Sequence, residues 1–121
     1  MDEEIDDRLM MQIEQTRADR LRALLAMQAV ASVTGVPAAA IGSKRRLGRE
    51  VRRARSLALY LCHTEYGWPL HRVGAAFDRD RTTVGVACRD VEDWRDDPAL
   101  DALLDRLGRG LVQITACGVA A

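Results

Sequence analysis

Residues 70–94 read LHRVGAAFDRDRTTVGVACRDVEDW, and the architecture follows from them. Leu70, Val73, Gly74 and Phe77 keep the i, i+3, i+4, i+7 spacing of a short helix with one apolar face. Asp78-Arg79-Asp80 is a tight polar turn. Asp80 suits the N-cap of a following helix, because its carboxylate can accept from an amide in the first turn. That second helix starts near Arg81 and buries Val84, Ala87, Cys88, Val91 and Trp94. Helix, three-residue turn, helix is the arrangement in which the second helix enters the major groove of DNA. Gly74 fits it, since two helices that approach closely need a small residue at the crossing.

The first turn of the second helix offers the right chemistry for reading bases. Arg81 can donate two parallel bonds to guanine O6 and N7. Thr82 and Thr83 can bond to a base or phosphate and set a methyl against thymine. Amides at such a helix start also attract phosphate. Gly85 and Ala87 keep the helix slim enough to approach the groove floor, and Arg89 lies one turn on, within reach of the DNA backbone.

Upstream lies KRRLGREVRRAR, residues 44–55, with seven bases against one acid. It reads as a loop followed by a helix from Arg49 to Tyr66. Val51, Ala54, Leu57, Ala58 and Leu61 share one face of that helix; Arg49, Arg52 and Arg53 fall opposite, with Arg55 at the margin. Gly67-Trp68-Pro69 stops it. Seven cations so close together neutralise phosphates and release counterions, and a loop arginine can enter a narrow minor groove. Loop in one groove and helix in the next would clamp duplex DNA at two points.

The rest of the chain also reads as helix. A first helix is expected over Ile5–Val33, with Leu9, Ile13, Leu21, Leu24, Leu25 and Met27 as its apolar line and Gly35 in the left-handed cap position. A short turn of helix follows over Pro37–Ile41. A last helix opens at Pro98, with Leu100, Leu103, Leu104, Leu107 and Leu111 on one line. The expected fold is all-α: a helical bundle with a helix-turn-helix preceded by a basic loop.

The 121 residues carry 18 basic and 18 acidic side chains, but the zero balance hides a separation. Residues 1–20 hold seven acids against three arginines, and residues 89–106 hold seven acids against three. A localised anionic ligand explains such a dipole better than solubility does. Five aromatic residues are too few for a stacking surface on single strands. No apolar run is long enough to span a membrane, and the opening Asp-Glu-Glu is unlike a secretory signal, so a cytoplasmic, nucleoid-associated protein is expected. Cys62, Cys88 and Cys117 form neither a disulfide framework nor a zinc pair. His63 and His71, separated by a proline break, do not form a helix-face metal pair. Neither metal, cofactor, small-molecule substrate nor catalytic residue is expected, and the chain is not read as an enzyme.

Ser43-Lys44-Arg45-Arg46, then Ala58-Leu59-Tyr60-Leu61, Val73-Gly74-Ala75-Ala76-Phe77, Arg79-Asp80-Arg81-Thr82-Thr83-Val84 and Ala87-Cys88-Arg89 follow one another in an order that resembles the C-terminal DNA-binding domain (domain IV) of the bacterial replication initiator DnaA, a Trp-repressor-like helix-turn-helix. The resemblance covers about residues 25–107. It implies that Arg46 places its side chain in the minor groove. It also implies that Arg79, Asp80, Arg81, Thr82 and Thr83 read the major groove, that His63 stands where a family lysine contacts the DNA backbone, and that Arg55 stands where the family has a basic residue. Arg81 replaces a histidine usual in the family and should prefer guanine. Asp78 stands where the family usually has glycine, and Val86 replaces a usual histidine or tyrosine. Residues expected at DNA are thus Lys44, Arg45, Arg46, Arg49, Arg52, Arg53, Arg55, His63, Arg79, Asp80, Arg81, Thr82, Thr83 and Arg89.

The chain carries no phosphate-binding GxxxxGK[ST] loop, so the reader stands here without the initiator's ATP motor. That is similar to the DNA-binding component of gene transfer agent transcription activators, which works with a partner that contacts RNA polymerase. A transcription regulator with a protein partner is therefore expected. A replication-origin regulator competing with the initiator is the alternative within DNA binding, and an interaction adaptor that has lost DNA binding is the alternative outside it. The expected partition is an acidic helical extension (1–24), the reading domain (25–107) and an apolar tail (108–121). The acidic extension suits a helix N-terminus, or would restrain the basic loop, or would meet a basic partner. Eight of the eleven residues from Leu111 onward are apolar; the tail either packs back or docks on a partner or twin chain. Leu104, Leu107, Leu111, Val112 and Ile114 are the candidate partner-binding residues.

Overall fold

A computed structural model describes residues 2–117. The described residues form six helices: α1 (Asp2–Thr34), α2 (Ala38–Gly42), α3 (Arg49–Glu65), α4 (Leu70–Phe77), α5 (Arg81–Trp94) and α6 (Pro98–Ala116). The fold is all-α, as its apolar spacing requires.

α3 is the central element, packed against α1, α2, α4, α5 and α6. Ser56 through Cys62 are buried without interruption. A helix enclosed on all sides reads as an apolar run, and Leu57, Ala58, Leu59, Tyr60 and Leu61 supply one. Val73 and Phe77 of α4, Val84, Ala87, Cys88 and Val91 of α5, and Leu104 and Leu111 of α6 close around it. The expected helix boundaries agree to within a residue or so, except at the two ends of the chain. Gly35, at φ 77°, terminates α1 in the left-handed conformation.

α1 departs from its expected packing. The residues that seat it are Asp19, Ala23, Ala26 and Val30, whereas Leu9, Ile13, Leu21 and Leu24 stay exposed and Leu25 and Met27 are half-buried. Small alanines let α1 lie close to the bundle, a gain in dispersion contacts that bulky leucines would prevent. Asp19 is buried because Arg72 of α4 grips it with two bonds, Nε to Oδ2 and Nη2 to Oδ1, both 2.9 Å. Gln15 donates a third at 2.8 Å. Burial alone would raise the Asp19 carboxyl; the Arg72 and Gln15 bonds outweigh it and hold the pKa below the ordinary value. Arg72 in turn lies over the Trp68 ring, 4.7 Å from its centroid.

The carboxyl end departs too. Residues 108–116 continue α6 rather than forming a separate tail. Leu104 and Leu111 are each 1% exposed, so these two candidate partner-binding residues are core residues. Gly108 is buried beside α3, where an added Cβ would require the Glu65 side chain to move. Leu107 is half-buried, and only Val112 and Ile114 of that set are exposed. The last four residues of the expected tail, 118–121, lie outside the described residues. Helix α1 runs through position 24 and α6 through position 107 without a break.

Part of the acidic segment 89–106 is consumed internally. Arg95, at the α5–α6 corner, donates to Asp101 (2.6 Å), Asp105 (2.5 Å) and the Tyr60 hydroxyl (3.2 Å), and that hydroxyl donates to Glu92. These carboxylates brace a corner.

Candidate nucleic-acid interface

The turn between α4 and α5 is built from local rules. Asp78 takes the left-handed conformation, φ 58° and ψ 47°, and caps α4 with its amide on the Gly74 carbonyl. Arg79 N also donates to the Gly74 carbonyl, at 2.8 Å. A Cβ on residue 74 would overlap the Arg79 carbonyl oxygen, so glycine is required there. Asp80 then caps α5: its Oδ1 accepts from Thr83 N at 2.8 Å. That backbone bond is the main reason its carboxyl is held below the usual carboxylate range. Asp80 thus takes its place in the site as the cap of the reading helix. With the cap satisfied, Arg81, Thr82 and Thr83 stand exposed at the start of α5.

The basic loop runs from Ser43 to Gly48, and its base is fastened to this turn. The Ser43 carbonyl accepts from Arg79 Nη2 at 2.6 Å and from Arg55 Nη2 at 2.8 Å. Arg55 also donates to the carbonyls of Ile41 (2.7 Å) and Ala40 (3.2 Å), the open carboxyl end of α2. Lys44 Nζ lies 2.6 Å from Asp78 Oδ2, a fully solvated pair, and the Lys44 ammonium holds the Asp78 carboxyl low. Gly48, at φ 104°, turns the chain into α3 where a side chain would be strained. Arg45 N is held by Ser43 Oγ at 3.1 Å; the arginine side chains at 45, 46, 49 and 52 are left exposed.

Between loop and reading helix lies an open cleft of about 970 Å³, lined by Lys44, Arg45, Arg46, Arg49, Arg52, Arg55 and Arg79 on one side and Thr83, Val86, Ala87 and Asp90 on the other. A second cleft, about 470 Å³, lies across α5, with Arg81, Thr82, Gly85 and Arg89 facing Pro69, Leu70 and His71. The amino-terminal half of α5 is therefore a free ridge between two grooves, and its amino end is flanked by cations.

Three residues expected at DNA bond to the protein's own backbone. Arg55 is half-buried with its guanidinium against three backbone carbonyls; burial and the neighbouring Arg79 lower its pKa, and it braces the loop. His63 engages the Trp68 carbonyl through Nδ1 at 2.8 Å, on the stretch between α3 and α4. Arg79 bridges turn and loop, with the Asp78 and Ser43 carbonyls as partners. Each placement has one cause: a polar side chain next to backbone carbonyls at a helix end or turn bonds to them. Arg53 is exposed but lies over Trp94, 4.4 Å from the ring centroid, and does not line the cleft.

Sequence reasoning also missed residues that shape the site. Ser43 acts through its carbonyl, which no side-chain pattern reveals. Asp78 gives Lys44 a partner. Val86, 45% exposed, adds an apolar group to the ridge; its place outside the apolar repeat of Val84, Ala87, Cys88 and Val91 was the available signal. Cys62 of α3 and Cys88 of α5 are buried, and burial pushes both thiols up, Cys88 to about 11, which leaves them packing residues.

Residues 25–91 match the family model described as the bacterial dnaA protein helix-turn-helix. The chain belongs to that family. Membership implies binding to double-stranded DNA. A crystal structure of a DNA replication initiation factor is similar in fold, with a TM-score of 0.71 and 25% sequence identity, over 92% of this chain. The chain spans 37% of that factor's length. No curated protein shows significant similarity to it. Among the described residues no helix is long and apolar enough to cross a membrane.

Proposed function

We propose that this chain is a sequence-specific reader of duplex DNA that regulates transcription. In this reading α5 enters the major groove with Arg81, Thr82, Thr83 and Val86 towards the bases. Arg46, on a loop fastened to the same turn, reaches the adjacent minor groove. Lys44, Arg45, Arg49, Arg52 and Arg89 neutralise phosphates on either side. The reading unit is residues 25–107, at work in the cytoplasm on the nucleoid and without catalysis. It acts as an activator through a protein partner that contacts the transcription machinery, similar to the DNA-binding component of gene transfer agent activators. The observation that carries the DNA reading is an exposed ridge that begins at Arg81, Thr82 and Thr83 and has on one flank a cleft lined by exposed Arg45, Arg46, Arg49 and Arg52.

The origin-regulator reading is favoured by the likeness to a replication initiation factor. Crosslinking of the protein to the genome separates the two: promoter peaks support the regulator of transcription and origin peaks the alternative. Binding itself is tested by a salt series on duplex DNA. Log K should fall steeply with log salt, since each neutralised phosphate adds nearly one to the slope; a flat response would favour the adaptor. Arg46→Ala should weaken binding by about 1–3 kcal/mol on every sequence, and Arg81→Ala should cost about as much on the cognate site alone. Equal loss on all DNA for Arg81→Ala would remove base reading from that residue.

A further inference from the structure

Residues 2–17 of α1 are all exposed, and the helix carries large apolar side chains on a face of its own. Ile5, Leu9, Met10, Ile13, Leu21 and Leu24 are 43–63% exposed. Leu9, Met10, Ile13, Leu21 and Leu24 share one sector, centred about 130° around the helix from the residues that seat α1 on the bundle, and Ile5 lies at its edge. A projecting helix of this length is marginal in water by itself, and a contiguous apolar stripe along it marks a contact surface.

The charges on that sector are sorted along its length. Asp2, Glu3 and Asp6 lie at the amino end; Arg17 and Arg20 lie beyond Ile13. We propose that this face is a homodimer interface, in which two α1 helices pack antiparallel about a two-fold axis at Ile13. In that register Ile13 meets its own copy, and Asp6 faces Arg20 of the partner subunit. Leu9 faces Arg17 of the partner subunit, whose aliphatic stem can cover it. A two-fold axis makes every such contact twice. Parallel pairing would set the acidic ends against each other. A uniformly basic helix from another protein would match the acidic end and oppose the arginines. Only a surface with the reverse charge order fits throughout, and an inverted copy of α1 has it.

Sedimentation velocity on the full chain without DNA, across the micromolar range, tests this independently of DNA reading. A reversible dimer is expected. Ile13→Asp, placed on the axis, should raise the dissociation constant at least about tenfold. Because that variant could also fray the projecting helix, a charge exchange supplies the second test. Asp6→Arg should weaken the dimer, and Asp6→Arg with Arg20→Asp should restore it, at unchanged helix content by circular dichroism. A monomer throughout would overturn the proposal and leave the face to a different protein. A dimer indifferent to Ile13→Asp and Asp6→Arg, or a double exchange that fails to restore it, would overturn it equally.

Discussion

The amino end of α5 and the basic loop stand exposed on either side of one cleft, yet they are held in opposite ways. The α5 tip is fixed by a left-handed Asp78, a glycine against the Arg79 carbonyl and a carboxylate cap, so Arg81 and Thr82 start from a defined backbone. The loop is fixed only at its base, where Arg55 and Arg79 hold the Ser43 carbonyl, and residues 45–49 are exposed. The contrast follows what each must do. Base reading depends on hydrogen bonds that weaken steeply when misaligned. Phosphate neutralisation acts at longer range and tolerates a mobile side chain. One region trades freedom for registry and the other keeps its freedom.

The contrast is broken most severely at Gly74. Gly74→Val forces two methyls and a Cβ onto the Arg79 carbonyl and should cost about 3 kcal/mol, read as a lower urea midpoint. Gly48→Ala, in the loop, meets nothing within 4 Å and bears only its backbone strain, of about 1–2 kcal/mol. Equal losses at the two positions would mean that the tip is no more tightly built than the loop.

Arg55 sharpens the contrast from the loop side. Arg55→Ala removes the side-chain donor from the Ile41 carbonyl and one of two donors from the Ala40 and Ser43 carbonyls, and should cost about 2 kcal/mol of stability. It should also weaken binding to every duplex, because the loop loses its footing. The two effects on DNA should not add: Arg46→Ala in the Arg55→Ala background should cost less than in the parent protein, a coupling that a double-mutant cycle measures. Full additivity would show that Arg46 does not depend on the brace.

Lys44 and Asp78 offer a gentler perturbation. Asp78→Asn keeps a residue that accepts the left-handed backbone and removes the carboxylate that holds Lys44. With Lys44 released to DNA, the salt slope of non-specific binding should steepen by about one unit. An unchanged slope would mean that Lys44 already contacts phosphate with the pair intact.

The same contrast explains what could be read in the chain. The α4–turn–α5 unit was legible because its determinants lie within a few residues of where they act: Gly74, Asp80 and the apolar repeat of Val84, Ala87, Cys88 and Val91. The basic segment was legible as charge but not as roles. Arg55 and Arg79 look identical to Arg46 and Arg52 in sequence; what separates them is the nearness of the Ser43 carbonyl, 12 and 36 positions away. The face of α1 was misjudged for a related reason. Large leucines outweigh alanines in any local reading, and the ion pair that seats Asp19 joins residues 53 positions apart. Likewise the leucines of α6 looked like a free surface because the approach of Gly108 to Glu65 is invisible without the fold.

The smallest effect expected is at the cap itself, and it is a matter of pH. The Asp80 carboxyl is held below its ordinary value chiefly by the Thr83 amide. Its stabilising contribution is therefore complete above the unfolded carboxylate pKa of about 4 and is lost as pH falls through the lower folded value. Asp80→Asn keeps a cap of similar quality without a titrating charge, so at neutral pH the variant should melt close to the parent protein. Below about pH 4 the parent protein should lose stability faster, and the two melting curves should converge or cross. Asp19 and Asp78 titrate in both proteins, so the difference between them isolates residue 80. A constant offset from pH 7 to pH 3 would place the Thr83 amide with some other acceptor and leave the start of α5 without the anchor that base reading requires.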